Sequence, residues 1–277
     1  MIGEIDIACC IVPWGGVNQF VPAVSDAESI GYSGVEASAD LVPHYEDRLQ
    51  VFEEIFSASS LRLSAMILEA HLTDSETADY QVEFAAHVAR FLGAVNGQCL
   101  LVSPATPKEK KPFLTDEDWT TAAAILDEMG ERCREFNVDL TLRPRAGHIL
   151  GADKDVKRIL AMTQPDFVKL TCDTAELTLT GTKPESFLKA YRERVNYVRI
   201  RDASGAKRRS AITSNEPGSA PGFGRGAVNI PKFCEMLETC RYEGWITVDI
   251  SGESQNPKDA ADAAFRYILK KSGLFLT

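Results

Sequence analysis

The sequence predicts an α/β chain closed into a (β/α)8 TIM barrel. Eight short β-branched runs alternate with longer amphipathic runs. Their spacing is even, and no glycine-rich dinucleotide loop follows the first of them. A length of 277 residues suits one such barrel. No boundary, internal repeat or low-complexity tract interrupts the chain, so 1–277 reads as one domain.

Strands are expected at 2–9, 34–37, 61–68, 96–102, 138–142, 167–172, 197–200 and 245–250. Helices are expected between them. The run 21–30 stops at Gly31, and 45–59 carries Leu49, Phe52, Ile55 and Phe56 on one stripe. The run 77–92 carries Val82, Ala85, Ala89 and Leu92, with Gly93 as its stop. Thr115 and Asp118 make a capping box at the start of 115–136. A helix at 153–162 ends near Pro165. Those at 184–191 and 231–240 open on a first-turn proline, and the last runs over 256–269. One connection, at about 201–229, is long, basic at Lys207, Arg208 and Arg209, and rich in Gly and Pro toward its end. It follows the seventh strand, which places it on the catalytic face as a lid or binding loop.

Hydrophobic residues make up 44% of the chain and charged residues 25%, within the globular range. A formal charge of −10 disfavours nonspecific contact with nucleic acid or an anionic membrane. No apolar run approaches the ~20 residues that cross a bilayer. Residues 1–10 lack a basic leader and read as strand rather than signal peptide. A cytoplasmic protein with neither nucleic-acid nor membrane partner is the expectation. The seven cysteines are odd in number, irregularly spaced and without a CxxC unit, as buried small side chains would be. A nucleophilic thiol at Cys10 or Cys172 would need a neighbour that lowers its pKa, and the local sequence supplies no obvious one.

In a (β/α)8 barrel the C-terminal ends of the strands face the site. That rule selects Glu36 from the second strand, Glu69 and His71 from the third, and Arg143 and Arg145 from the fifth. It adds Asp173 and Glu176 at the sixth, Arg199, Arg201 and Asp202 at the seventh, and Asp249, followed by Ser251 and Glu253, at the eighth. Trp14, just past the first strand, joins the substrate-binding candidates. A charge in a strand-like run must be paired or solvated. Arg143, Arg199 and Asp249 therefore belong either to Arg–Asp pairs closing the mouth or to a ligand grip. In the second reading Arg143, Arg145, Arg199 or Arg201 holds an anionic or strongly polar ligand, for which planar guanidinium groups are suited. His71, Glu69, Glu176 and Asp173 are the candidate proton-moving groups. His148 lies in a turn near Arg145, and His44 and His87 suit surface or packing positions. The acidic and imidazole groups are metal-ligand types, but the arginines among them repel a divalent cation. No metal and no cofactor is the expectation.

The chain resembles the xylose isomerase-like, or AP-endonuclease family 2, superfamily over nearly its whole length. The resemblance is carried by Gly31–Glu36, Cys172–Leu177, Val198–Asp202, Phe223–Asn229 and Tyr242–Asp249. It is nearest in pattern to the inosose dehydratase and sugar phosphate isomerase/epimerase branch. The resemblance implies a (β/α)8 barrel that isomerises, epimerises or dehydrates sugars, keto acids or cyclitols, many members holding a divalent ion at strand ends. It also implies where this chain departs. Arg143 stands where the family commonly has a glutamate. Ala175–Glu176 stands where Gly-His often follows the aspartate, here Asp173. Arg199 and Arg201 replace the histidine and lysine of a His-x-Lys-Asp pattern, and Asp249 replaces the final glutamate. Arginine presents only donors, so it cannot ligate a cation as those residues would.

The expected function is thus that of an isomerase, epimerase or dehydratase-like lyase. It would act by proton transfer, without the usual metal, on a small anionic or oxygen-rich carbonyl, carboxylate or polyhydroxy compound. The alternatives are a non-catalytic small-molecule binding protein on a decayed scaffold and a metal-dependent sugar or cyclitol enzyme with rearranged ligands. A repair nuclease fits the charge and the four histidines poorly. Analogy with such barrels suggests a homodimer.

Overall fold

The structure, a computed structural model, describes residues 6–105, 114–204, 220–253 and 256–271. Eight parallel strands close a barrel in sequence order: β1 (Ile7–Cys10), β2 (Gly34–Ser38), β3 (Arg62–Ala70), β4 (Cys99–Pro104), β5 (Asp139–Leu142), β6 (Val168–Asp173), β7 (Val195–Ile200) and β8 (Trp245–Val248). Pairing of Cys9 with Val248 and its neighbours closes β8 onto β1. The outer layer contains α1 (Phe20–Ile30), α2 (Val42–Tyr45), α3 (Leu49–Ser57), α4 (Ala78–Ala94), α5 (Asp116–Arg134), α6 (Asp153–Met162), α7 (Thr174–Leu179), α8 (Pro184–Tyr191), α9 (Ile230–Cys240) and α10 (Pro257–Lys271).

Side chains alternate along each strand between the lumen and the helix layer. On β7, Val198 and Ile200 join the large core under the helices, whereas Tyr197 joins Ala65, Cys99 and Leu101 in a small luminal cluster. The Tyr197 hydroxyl is bonded to Ser64 (2.8 Å) and Thr247 (2.6 Å), which satisfies the polar atoms of this plug. The plug closes the lumen below, and Arg199, two residues further along β7, starts the layer above it.

All eight expected strands form, with β3 running on to Ala70 and β8 stopping at Val248. The Thr115–Asp118 capping box is present, Asp118 N donating to Thr115 Oγ1 (3.1 Å) and Thr115 N to Asp118 Oδ2 (2.8 Å). Two helical expectations change. The run 45–59 does not form one helix: α2 and a 3-10 turn precede α3, which begins at Leu49. Gly93 does not stop α4, which continues to Ala94. A Cβ at position 93 would lie 2.7 Å from the Phe136 carbonyl oxygen, so the glycine serves close approach rather than termination. Most of the loop expected at about 201–229, including Lys207, Arg208 and Arg209, lies outside the described residues.

Gly130 meets the same constraint inside α5, where a Cβ would run into the Phe167 carbonyl. Alanine favours a helix over glycine by about 1 kcal/mol, but overpacking costs about 1–3 kcal/mol. Gly130→Ala should therefore lower stability in urea titrations, despite its better helix propensity. An unchanged or raised midpoint would show that α5 is free to shift away from Phe167.

Candidate active site

Successive luminal positions build the site. Cys10 on β1 pairs in register with Glu36 on β2, and Asp173 on β6 with Arg199 on β7. Ser103 at the end of β4, Arg143 just past β5 and Asp249 just past β8 complete the ring. Arg199 is its centre. Its Nε and Nη2 meet both oxygens of Glu36 at 2.9–3.2 Å. Its Nη1 donates to Asp173 Oδ2 at 2.8 Å, and its Nη2 lies 3.0 Å from Asp249 Oδ2. The side chain is about 2% exposed, so only this shell of carboxylates compensates its lost hydration.

Two further arginines flank it. Arg143 donates to Asp173 Oδ2 through Nε (3.2 Å) and Nη2 (3.1 Å), to Glu176 Oε1 (3.3 Å) and to Ser103 Oγ (3.4 Å). Arg201 donates to Glu176 Oε1 at 2.8 Å, while its buried Nε has no hydrogen-bond partner among the described residues and sits 3.7 Å from Asp249. The carboxylates are anchored on their other side. Asp173 Oδ1 accepts from the Ala175 and Glu176 amides at the start of α7. Glu176 Oε2 accepts from Ala146 N (2.8 Å), and Asp249 Oδ1 from Ser251 N (2.9 Å) and Oγ (2.5 Å).

Burial alone would raise the Asp173 and Asp249 carboxyls. The guanidinium groups of Arg143, Arg199 and Arg201 outweigh it and hold both below the usual carboxylate range. Burial would lower Arg199, but Glu36, Asp249 and Asp173 hold it well above the ordinary guanidinium value. Cys10 lies at 3.6 Å from Arg199 Nη2, yet burial and the charges of Glu36 and Asp249 push its thiol far up. Cys172 is raised by burial and Asp173. Both shifts run against the thiolate character a nucleophile needs.

Above the cluster lies a cavity of about 590 Å³. Arg143, Glu176, Arg199, Asp249 and Ser251 form part of its lining, as do Glu69, His71 and Arg145. Glu36, Asp173 and Arg201 belong to the cluster but not to the lining. Arg145 Nη1 is bonded to Glu69 Oε1 at the lip, where the Glu69 side chain is 55% exposed. Trp14 is not in the lining. Its indole donates to Asp26 (3.0 Å), which also binds Lys258, so it ties the β1–α1 connection to α1 and α10. His148 is also absent from the lining. Burial and Arg145 lower its pKa, and its buried Nδ1 has no partner among the described residues. His87 pairs with Glu46.

Several contributors escape a strand-end rule. Gln81, on the buried face of α4, accepts from the His71 amide and donates to the His71 carbonyl (3.2 Å) and Thr77 (2.9 Å). It fixes the chain where β3 leaves the barrel. A glutamine inside an apolar helical stripe is the one sequence signal for it. Tyr80 and Phe84 on α4 also line the cavity, and nothing in strand spacing points to them.

The family resemblance implies a divalent ion near the strand ends, and these residues do not fit one. A guanidinium fills the space between Glu36, Asp173 and Asp249 and takes up the oxygens an ion would need. Among the described residues no group of three or more His, Cys, Asp or Glu is placed to hold a metal. No helix among them is long and apolar enough to cross a membrane.

Removing one partner of a buried pair costs about 3–5 kcal/mol. Arg199→Gln should lower unfolding stability by about that amount, and near wild-type denaturation would show that the cluster holds without its centre. The pH dependence has a definite sign. Asp173 and Asp249 have folded pKa values below their unfolded ones, so their contribution is present above the unfolded value of about 3.9. It is lost as pH falls through the folded values. The melting temperature should therefore drop as pH falls below about 5, with a shallower slope in Asp249→Asn. An identical slope would contradict the assignment.

Comparison with known proteins agrees with this architecture. Residues 24–271 match the family model described as xylose isomerase-like TIM barrel. The chain is 23% identical over an alignment of 297 positions to an inosose dehydratase of Clostridium beijerinckii, covering 98% of each chain. It is 22% identical to an inosose dehydratase of Lacticaseibacillus casei, covering 96% of each. Among solved structures, the D-psicose 3-epimerase of Clostridium cellulolyticum with D-tagatose has a TM-score of 0.79 at 12% identity, covering 97% of this chain and 99% of that one. A probable 3-DHS dehydratase of Bacillus anthracis also has a TM-score of 0.79 at 12% identity, covering 96% and 99%. These structural likenesses speak to the fold. The family match spans most of the sequence, and the chain belongs to the xylose isomerase-like TIM-barrel family.

Proposed function

We propose that the chain is an isomerase, epimerase or dehydratase-like lyase that moves a proton on a small, neutral polyhydroxy carbonyl compound. The names of its relatives, dehydratases and epimerases, support the reaction class. The observation that carries the reading is the lip pair Glu69–Arg145 standing over an immobilised arginine floor.

Charge selects a neutral substrate over the anion expected from the arginines alone. Arg143, Arg199 and Arg201 face Glu36, Asp173, Glu176 and Asp249, which leaves the cluster formally one negative charge. Asp40 adds another carboxylate to the cavity lining. An anion would meet an excess of like charge, whereas hydroxyl groups donate to carboxylates and accept from guanidinium groups.

In this reading a substrate oxygen accepts from Arg145 and draws that guanidinium away from Glu69. Glu69 then takes the proton from the carbon beside the carbonyl, and the C–H electrons form an enediol-type intermediate. His71, lining the same cavity just past β3, delivers a proton. Delivered to the opposite face of the same carbon, it completes epimerisation; delivered to the former carbonyl carbon, with the neighbouring hydroxyl proton passing to the former carbonyl oxygen, it completes isomerisation. Delivered to a departing β-hydroxyl, it releases water and completes dehydration. Asp173 has both oxygens committed and is held ionised, so it positions Arg143 and Arg199 rather than moving a proton. Glu176, held by Ala146, Arg143 and Arg201, orients substrate hydroxyls.

One observation favours a non-catalytic binding protein instead: where Arg199 meets the cavity floor, carboxylates already surround its guanidinium. Deuterium exchange from D2O into cyclic and open-chain ketoses, inososes included, separates the two. Exchange should occur, and Glu69→Gln should slow it roughly 10²–10⁴-fold, while Arg145→Gln should mainly raise KM. Wild-type exchange in Glu69→Gln would remove the proposed base. Thermal stabilisation by these compounds with no exchange would leave only the binding reading.

A further inference from the structure

Two aromatic side chains lie on the cavity wall away from the charged cluster. Tyr80 is 72% exposed, and Phe84, one turn further along α4, is half-buried against the core. Their rings are near parallel, 6° apart in plane with centroids at 6.4 Å, and His87 continues the row at 6.5 Å and 19°. Val12, Ile67 and Leu68 extend the same wall. Barrel order explains the division. β1, β3 and α4 supply the apolar side, while β5 to β8 supply all of the arginines and most of the carboxylates of the cluster.

The row needs an occupant. An exposed tyrosine alone is ordinary, but Tyr80 lines the cavity at the end of a stacked aromatic row and so offers a ring for a ligand to stack on. The cavity, at about 590 Å³, falls in the range that encloses a drug-sized ligand and exceeds what one polyhydroxy ring fills. Resting on the function proposed above, we infer that the substrate carries a second ring, joined to the reacting ring, which stacks on Tyr80, the exposed end of the row. The shared chemistry is a glycoside whose second ring offers an apolar face, supplied by an aromatic aglycone or by another sugar.

Calorimetric titration of the purified chain tests this with methyl and phenyl pyranosides of glucose, galactose, mannose and allose, and with cellobiose and maltose. At least one two-ring compound should bind more tightly than its methyl counterpart by about three- to tenfold. That ratio should fall to about one in Tyr80→Ala, whose exposed position leaves the fold intact. The disaccharide and phenyl arms identify which ring is preferred. Methyl glycosides that bind as well as every two-ring partner would overturn this inference and leave the proposed function standing. No binding by any member would overturn this inference as well, while the exchange assay on ketoses and inososes decides the proposed function separately. A Tyr80→Ala change from dimer to monomer on gel filtration, with the binding ratio unaltered, would assign the aromatic row to a second copy of the chain and overturn the inference as well.

Discussion

The guanidinium of Arg199 sits in the lumen between Glu36, Asp173 and Asp249, and the catalytic face is built outward from that contact. A lone buried cation would cost far more than a small barrel's net stability. Three carboxylates from three different strand ends offset that cost, and Asp173 and Asp249 are themselves held by backbone amides. β2, β6, β7 and β8 are thereby drawn to one point above the Tyr197 plug. The pairing does not by itself make the barrel more stable than an apolar filling would. It makes the geometry unique, because only one register brings all four groups together.

This arrangement divides the site into a fixed part and a movable part. Arg199 and Asp173 have their polar atoms engaged and almost no exposure, so a substrate has little to displace there. Glu69 and Arg145 form a single pair at the lip, and such partly solvated pairs are worth little. Chemistry that requires groups to exchange partners belongs at that lip. The floor contributes shape, positive charge at fixed positions and a net negative balance that disfavours anions. A divalent ion would exchange ligands with the substrate directly. A guanidinium held by carboxylates does not, which is why the proposed function gives the proton-handling role to residues of β3 and its extension.

Much of the barrel was legible because its period-two strands and 3.6-period helices leave separate marks. Pro184 and the Thr115–Asp118 pair marked their helix starts correctly. Gly93 misled, because a glycine chosen for close approach to Phe136 looks the same in sequence as one that ends a helix. Helix α7 has only six residues and carries no readable periodicity; its cap, Asp173, was legible only as a charge at a strand end. At the site, the strand-end rule selected Arg199, which the structure places among Glu36, Asp173 and Asp249, but partner choice is a three-dimensional matter. Spacing could not say whether the arginines met a ligand or Glu36, Glu176 and Asp249. Trp14 was selected by proximity to β1, yet its indole turns to Asp26. Gln81, Tyr80 and Phe84 reach the site from a helix, where a strand-end rule does not look.

The guanidinium of Arg199 occupies the place where a cation would otherwise be cradled. Equilibrium dialysis of the metal-stripped chain against micromolar manganese, with Asp249→Asn as the comparison, tests that occupancy. The wild-type chain should retain no stoichiometric manganese. One equivalent retained by the wild type and lost in Asp249→Asn would contradict it.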